Sequence, residues 1–281
     1  MSAVEGTGSR RAGVLGHPIA HSLSPSLHRA AYAHLGLDWD YQAYDVDEAG
    51  LPDFVRELDP SWAGLSLTMP LKVTALPLVD FVEPMAKLVG AINTIVVQPV
   101  TDHLQLVGAN TDVHGVVAAL AEGGVTRATR GVVLGGGATA TSALAALGRI
   151  GVTRPIVAVR NRGRAGGLLR AATKMGIEPR FVSFDEAPAM MADAQAVVST
   201  VPARAGAEVA SGLVGSVTSE AALLDAVYDP LVTPLGAAWR EAGGTFVPGT
   251  RMLLHQAAEQ VRLMTGRPVP IDVLDTALTS Q

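Results

Sequence analysis

Val132-Val-Leu-Gly135-Gly136-Gly137-Ala138-Thr139-Ala140 decides the fold of this chain. The apolar run Gly131–Leu134 reads as a strand, three glycines follow, and the Ala/Leu-rich stretch from Thr139 to Ile150 reads as a helix. Glycine at 135 permits a tight turn, and glycine at 137 lets the backbone approach a pyrophosphate held at the helix N-terminus. Ala140 keeps the helix close to the sheet. A second strand is expected over Ile156–Arg160, which completes a βαβ unit. A plain glycine-rich turn is the alternative for the motif alone, but its position between strand and helix favours a dinucleotide site.

The end of that second strand selects the cofactor. It reads Val157-Ala-Val-Arg160-Asn161-Arg162-Gly163-Arg164, with three arginines and no acid. A carboxylate there would hold a ribose 2′-OH, whereas guanidinium groups suit a 2′-phosphate. NADP(H) is therefore expected rather than NAD, the alternative being a solvated basic loop. Downstream, Ala196–Thr200, Ala222–Val227 and Thr245–Val247 are expected to supply further strands, and Arg251–Gly266 a helix.

The half before this unit is also α/β. Strands are expected at Ala12–Leu15, Tyr41–Val46 and Gly64–Leu67, and helices at Ser26–Leu35 and near Leu51–Leu58. A hairpin of Ile92–Val97 with Leu104–Val107 is expected to turn over Pro99–His103. Polar residues gather where these strands end. Gly16-His-Pro-Ile-Ala-His-Ser22-Leu-Ser24-Pro-Ser-Leu-His28 offers two hydroxyls in a proline-bounded loop. Hydroxyls donate to carboxylate oxygens, so the loop suits a small anion, though a turn with a serine helix cap is the alternative. Gly64-Leu-Ser66-Leu-Thr68-Met-Pro70-Leu-Lys72 sets a lysine past a proline turn. Gly90-Ala-Ile-Asn93-Thr94 and Gly108-Ala-Asn110-Thr111-Asp112 add two more clusters. Asp112 also reads as a helix cap. A lysine beside an aspartate can move a proton and stabilise a developing alkoxide, which alcohol oxidation by a nicotinamide requires.

The 281 residues suffice for two domains, and 48% hydrophobic residues for two cores. With net charge −5 and no block of like charges, nucleic acid is not an expected partner. The absence of cysteine removes thiolate chemistry, and the seven histidines lack ligand spacing, so no metal is expected. No apolar run has the length of a membrane helix. Met1–Arg11 reads as a frayed tail rather than a signal peptide, so a cytoplasmic protein without a membrane partner is expected.

In order and spacing these clusters resemble the shikimate dehydrogenase family. The first loop matches its Gly-x-Pro-Ile-x-His-Ser-x-Ser-Pro-x-x-His. The next three match Asn-Val-Thr-x-Pro-x-Lys, Gly-Ala-x-Asn-Thr and Gly-x-Asn-Thr-Asp-x-x-Gly. Asp225-Ala-Val-Tyr228-Asp-Pro-Leu-Val-Thr233-Pro-Leu and Gly249-Thr-Arg-Met252-Leu-Leu-His-Gln256 resemble two motifs further on, with Ala226 and Asp229 departing from the first in the loop expected near the nicotinamide. Asn161-Arg162 resembles the start of the family's Asn-Arg-Thr-x-x-Arg/Lys motif, with Gly163 and Gly166 replacing its hydroxyl and last base. Arg160 or Arg164 can compensate, and which arginine meets the phosphate stays open.

The resemblance implies reversible NADPH-dependent reduction of 3-dehydroshikimate to shikimate. It implies catalytic Lys72 and Asp112, with substrate also meeting Ser22, Ser24, Ser66, Thr68, Asn93, Tyr228 and Gln256. It implies NADP(H) against Gly135, Gly136, Gly137, Ala138, Thr139, Ala140, Arg160, Asn161, Arg162, Arg164, Thr200, Val201, Val227, Gly249 and Met252. Ser66 replaces the family asparagine, so one ligand contact is expected to be lost or to pass through water. Members that favour quinate often carry threonine at the position of Ser24. The implied architecture is an α/β substrate domain over 1–112, completed by 248–281, plus a Rossmann-type doubly wound NADP domain over 113–247. The C-terminal helix returns to the first domain. The partner is a small molecule, and the protein a monomer or homodimer. A broader quinate/shikimate dehydrogenase and a catalytically inactive NADP-binding regulator are the alternatives.

Overall fold

Two sheets, each of six strands, organise the described residues. The structure is a computed structural model and describes residues 9–279. The elements before the glycine turn are β1 (Arg10–Gly16), α1 (Ser24–His34), β2 (Trp39–Asp45), α2 (Leu51–Arg56), β3 (Trp62–Leu67), α3 (Leu71–Thr74), β4 (Phe81–Val82), α4 (Pro84–Val89), β5 (Thr94–Val100) and β6 (His103–Ala109). After them come α5 (Asp112–Glu122), β7 (Gly131–Leu134), α6 (Ala138–Arg149), β8 (Ile156–Ala158), α7 (Gly166–Met175), β9 (Arg180–Val182), α8 (Ala187–Ala192), β10 (Ala196–Ser199), α9 (Ala203–Ala210), β11 (Ala222–Asp225), α10 (Pro234–Glu241) and β12 (Thr245–Pro248). Two helices, α11 (Gly249–Thr265) and α12 (Ile271–Thr279), are the last elements among the described residues.

The first sheet has the order β2-β1-β3-β5-β6-β4. β1 runs parallel to β2 and β3, while β5 is antiparallel to both β3 and β6. This mixture sets one edge of the sheet apart. The C-terminal ends of β1, β3 and β6 and the N-terminal start of β5 all lie along it. β3, buried at every position, is the centre of a core that includes Leu15, Leu51, Trp62, Leu65 and Ile95.

The second sheet is parallel throughout, in the order β12-β11-β10-β7-β8-β9. Numbered within this unit, that is the Rossmann order 3-2-1-4-5-6. β7, β10 and β11 are buried at every residue, as strands covered by helices on both faces must be, which is why they read as unbroken apolar runs. The strand order reverses between β7 and β10, so the loops after these two strands bound a crevice.

Contacts divide the chain into two units. One contains residues up to Lys87, Ala91–Thr111 and the residues from Ala257 on, and the other contains Leu88–Gly90 and Asp112–Gln256. The return to the first unit falls inside α11, at Gln256/Ala257, rather than at the 247/248 boundary read from the sequence. α12, which has no counterpart among the expected elements, packs against α1.

Four local expectations differ. Residues 1–8 of the expected tail lie outside the described residues, and Arg10 and Arg11 belong to β1. α1 starts at Ser24, with Pro25 in its first turn, because a proline N–H is not needed there. The hairpin turns over residues 101–102, tighter than the Pro99–His103 expected. β9 and the helices α7 to α10 are additional to the expected elements: they are short, and β9 is held chiefly by its parallel pairing with β8.

Candidate active site and cofactor cleft

In the first unit, backbone bonds tie the strand-end loops to one another. His17 N–H donates to the Met69 carbonyl at 3.0 Å, Thr68 N–H to Leu15 at 2.9 Å, Leu67 N–H to Asn93 at 2.7 Å, and Ile92 N–H to the Lys72 carbonyl at 2.8 Å. Thr68, Lys72 and Asn93 are thereby brought together at the sheet edge defined above, and Ser22 and Ser24 lie in the segment that follows β1 from the same edge. The Ser24 N–H points to Ser22 Oγ at 3.4 Å, and Ser24 itself is buried. Lys72 is half-buried on the one-turn helix α3.

Asn93 is held from several sides. Its Nδ2 donates to Thr111 Oγ1 at 2.9 Å, and its Oδ1 accepts from Thr111 N–H at 2.8 Å and Thr94 Oγ1 at 2.9 Å. Behind it lies Gln260, whose amide has four partners. Nε2 donates to the Asn93 carbonyl and to Thr94 Oγ1, both at 3.0 Å. Oε1 accepts from Ser66 Oγ at 2.8 Å and from His28 Nε2 at 3.2 Å. The Tyr41 hydroxyl donates to Ser66 Oγ at 2.6 Å. The Ser66 hydroxyl, expected at the ligand, is thus engaged inside the unit; it is shorter than asparagine and turns to Tyr41 and Gln260. Burial takes the His28 imidazole down to about 3 and the Tyr41 phenol up. Tyr41 and Gln260 were not among the expected site residues, while His28, Thr94 and Thr111 were read as members of the polar motifs without their supporting role; the usable signal was Gln260 one turn beyond Gln256 on α11.

In the second unit, Asp112 opens α5 as its first helical residue and is buried. α5 and α11 approach closely at Gly115, where an added Cβ would lie 2.8 Å from the Met252 carbonyl oxygen. Arg251 clamps the same pair of helices through both Glu122 oxygens at 2.6 and 2.8 Å, and His255 adds a bond at 2.8 Å. The Arg251 bonds chiefly hold the Glu122 carboxyl below its usual range. Gln256, one residue after His255, donates to the Leu253 carbonyl at 2.9 Å. The loop carrying Val227 and Tyr228 is braced by buried Asp225, which accepts from Thr233 Oγ1 at 2.7 Å and from Val227 N–H at 3.3 Å. Burial raises the Tyr228 phenol, and the Asp229 charge adds to it.

The crevice between β7 and β10 is a cleft of about 700 Å³. Gly135, Gly136 and Gly137 form one wall, Arg160, Asn161 and Phe184 another, and Thr200, Val201 and Pro202 a third. Ala138, Thr139 and Ala140 form the first turn of α6 behind the glycines, and Gly249 and Met252 lie on α11. Val159, Phe184 and Pro202 were not among the expected lining residues. Asn161 Oδ1 caps the short turn Arg162–Ala165 by accepting from Gly163 N–H at 2.9 Å. Arg162 stands with its guanidinium 5.3 Å from the Phe181 ring centre, and the Arg164 side chain lies outside the described residues.

Gly135 has φ +115°, and a Cβ there would stand 2.4 Å from Thr200 Oγ1, whose hydroxyl donates to the Leu134 carbonyl at 2.8 Å. Gly135→Ala is expected to cost about 1–3 kcal/mol from the backbone alone. Thermal unfolding and NADPH titration check this: a variant with parental Tm and parental affinity would show the turn to be permissive.

Residues 14–95 match the family model described as shikimate dehydrogenase substrate binding domain, and residues 249–279 the one described as shikimate 5′-dehydrogenase C-terminal domain. Over 274 residues the chain is 37% identical to shikimate dehydrogenase (NADP(+)) of Symbiobacterium thermophilum, covering 94% of this chain and 92% of that protein. The chain belongs to the shikimate dehydrogenase family. The crystal structure of Mycobacterium tuberculosis shikimate dehydrogenase is similar with TM-score 0.86 and 42% identity, covering 97% of this chain and 100% of that one. The Thermus thermophilus enzyme in complex with NADP(H) and shikimate is similar with TM-score 0.79 and 31% identity, over 96% and 99%. The shikimate dehydrogenase motifs fall at the strand ends described above. No helix among the described residues is long and apolar enough to cross a membrane.

Proposed function

We propose that this protein is an NADP-dependent shikimate dehydrogenase, reducing 3-dehydroshikimate to shikimate reversibly. The observation that carries the reading is the gathering of Thr68, Lys72 and Asn93 at one sheet edge, from which the segment with Ser22 and Ser24 leaves, in a chain whose other unit has a Rossmann cleft. The cleft fits the cofactor: bare glycine backbone runs along one wall, Arg160 stands on another, and among the described residues lining it none is a carboxylate. Gly135–Gly137 and the first turn of α6 would hold the pyrophosphate, and the arginines after β8 the 2′-phosphate.

The bound nicotinamide supplies or accepts the hydride. Ser22 and Ser24 donate to the substrate carboxylate, while Thr68, Asn93 and Gln256 orient the ring hydroxyls. Tyr228 borders the same ligand. Lys72 exchanges the proton at the reacting oxygen, and its ammonium stabilises negative charge there; Asp112 orients the ammonium. Asn93 enters this work already oriented, because Thr94 and Thr111 hold its Oδ1 and Thr111 takes one Nδ2 hydrogen.

The test follows NADPH absorbance in purified protein with shikimate or quinate and NADP or NAD. Shikimate with NADP is expected to be the best pair. Quinate carries an extra hydroxyl beside the carboxylate, at the end of the ligand that Ser22 and Ser24 are proposed to meet. A hydroxyl desolvated without a partner should lower kcat/KM by roughly 10- to 100-fold. A quinate value equal to that of shikimate would overturn the substrate preference, and absence of turnover despite tight NADPH binding would overturn the enzyme reading.

A further inference from the structure

Beside the large cleft lies a smaller one of about 370 Å³, lined by Arg160, Pro202, Arg204, Ala205 and Glu208. Arg160 and Pro202 belong to both clefts, so the two are adjoining spaces at the ends of β8 and β10. In a Rossmann unit the adenosine ribose lies at the end of the second strand, which here is β8. The 2′ position of an NADP in this cleft therefore falls near Arg160. Arg204, in the first turn of α9, lines the smaller cleft together with Arg160. Pro202, Arg204 and Ala205 at the start of α9 line this space, so the positive end of that helix borders it.

The family pattern would have assigned the 2′-phosphate to Arg162 and to a base where this chain has Gly166. The structure distributes the charges otherwise. Arg162 lines neither cleft, and its guanidinium stands over Phe181. Arg160 stands over Phe184, a wall of the large cleft, at 5.8 Å from the ring centre. Neither Arg160 nor Arg204 makes an ion pair among the described residues. The one carboxylate lining the smaller cleft, Glu208, lies one turn further along α9 than Arg204.

Building on the NADP reading above, we infer that Arg204 and Arg160 form a clamp for the cofactor 2′-phosphate, with Arg204 on α9 replacing the base lost at Gly166. The two guanidinium groups give the dianion two charge-assisted partners where a hydroxyl would find none, so Arg204 discriminates NADP from NAD.

Calorimetric titration of the purified full chain with NADP and with NAD tests the clamp. Arg204→Ala and Arg160→Ala are each expected to raise Kd for NADP by about tenfold, with NAD changed by less than about twofold, as for loss of one exposed charged hydrogen bond. Arg162→Ala should raise it less than either. Should the alanine variant fold poorly, Arg204→Gln removes the same charge at similar length. An unchanged NADP affinity in either Arg204 variant, in a parent that still prefers NADP, overturns the clamp and leaves the cofactor reading standing. A parent that binds NAD as tightly as NADP overturns both.

Discussion

Lys72→Ala should lower kcat by about 10²–10⁴-fold, the range for loss of a positioned acid–base group and equal to roughly 3–5 kcal/mol of barrier. The expectation rests on where the lysine stands. α3 is a single turn, yet it does not drift: Leu71 is fully buried, and the Lys72 carbonyl takes the Ile92 N–H at 2.8 Å. The backbone of that turn is therefore retained when the side chain is cut back, and the loss measures the ammonium. KM for shikimate should change far less than kcat, because the proposed substrate contacts of Ser22, Ser24 and Asn93 are left in place. Steady-state kinetics on protein with parental circular dichroism decides the matter. A kcat near that of the parent would remove Lys72 from the chemistry.

Acid should destabilise the first unit through His28. This imidazole is fully buried against Tyr41, with ring centres 4.0 Å apart, and its pKa falls to about 3, chiefly by burial and against an opposing bond from Gln260. In the unfolded chain it titrates near 6.5. Its depressed folded pKa gives stability that is fully present above about 6.5 and is lost as pH falls toward 3, because the unfolded chain takes up the proton first. The slope is about 1.4 kcal/mol per pH unit, or some 2 kcal/mol lost by about pH 5. Asp225 works in the opposite direction, since burial raises its carboxyl and charging it opposes folding at neutral pH. Comparing parent and His28→Asn isolates the imidazole. Denaturant unfolding at neutral pH and near pH 5 should show the parent losing the larger share of stability, and equal losses would mean that His28 titrates normally.

The two glycine-turn strands and the helix between them were legible because local chemistry encodes them. A buried parallel strand is an apolar run, and Gly135 needs a positive φ that few other residues accept. Lys72, Asn93 and Asp112 were legible as candidates because each closes a polar cluster directly after, or before, a strand. β9 was not: three residues, Arg180–Val182, become a strand only because β8 offers its edge. Ser66 was legible as a departure from a motif, but its partners Tyr41 and Gln260 were not.

Fold class, the family, the candidate acid–base pair and the preference for a phosphorylated cofactor are all determined by the sequence itself. Each depends on residue identity and short spacing, and the missing acid after β8 is visible in a few consecutive letters. Tertiary structure decided the contacts that join distant positions. Gln260 meets His28 across 232 residues because α11 crosses back into the first unit, and no local pattern records that return. The arginines show the same limit: Arg160, Arg162 and Arg204 are alike in charge, and only sheet order and side-chain direction turn the first and last toward one cleft and the second toward Phe181. Backbone conformation answers to near neighbours, whereas the partners of a buried amide or a phosphate depend on which strands and helices end side by side.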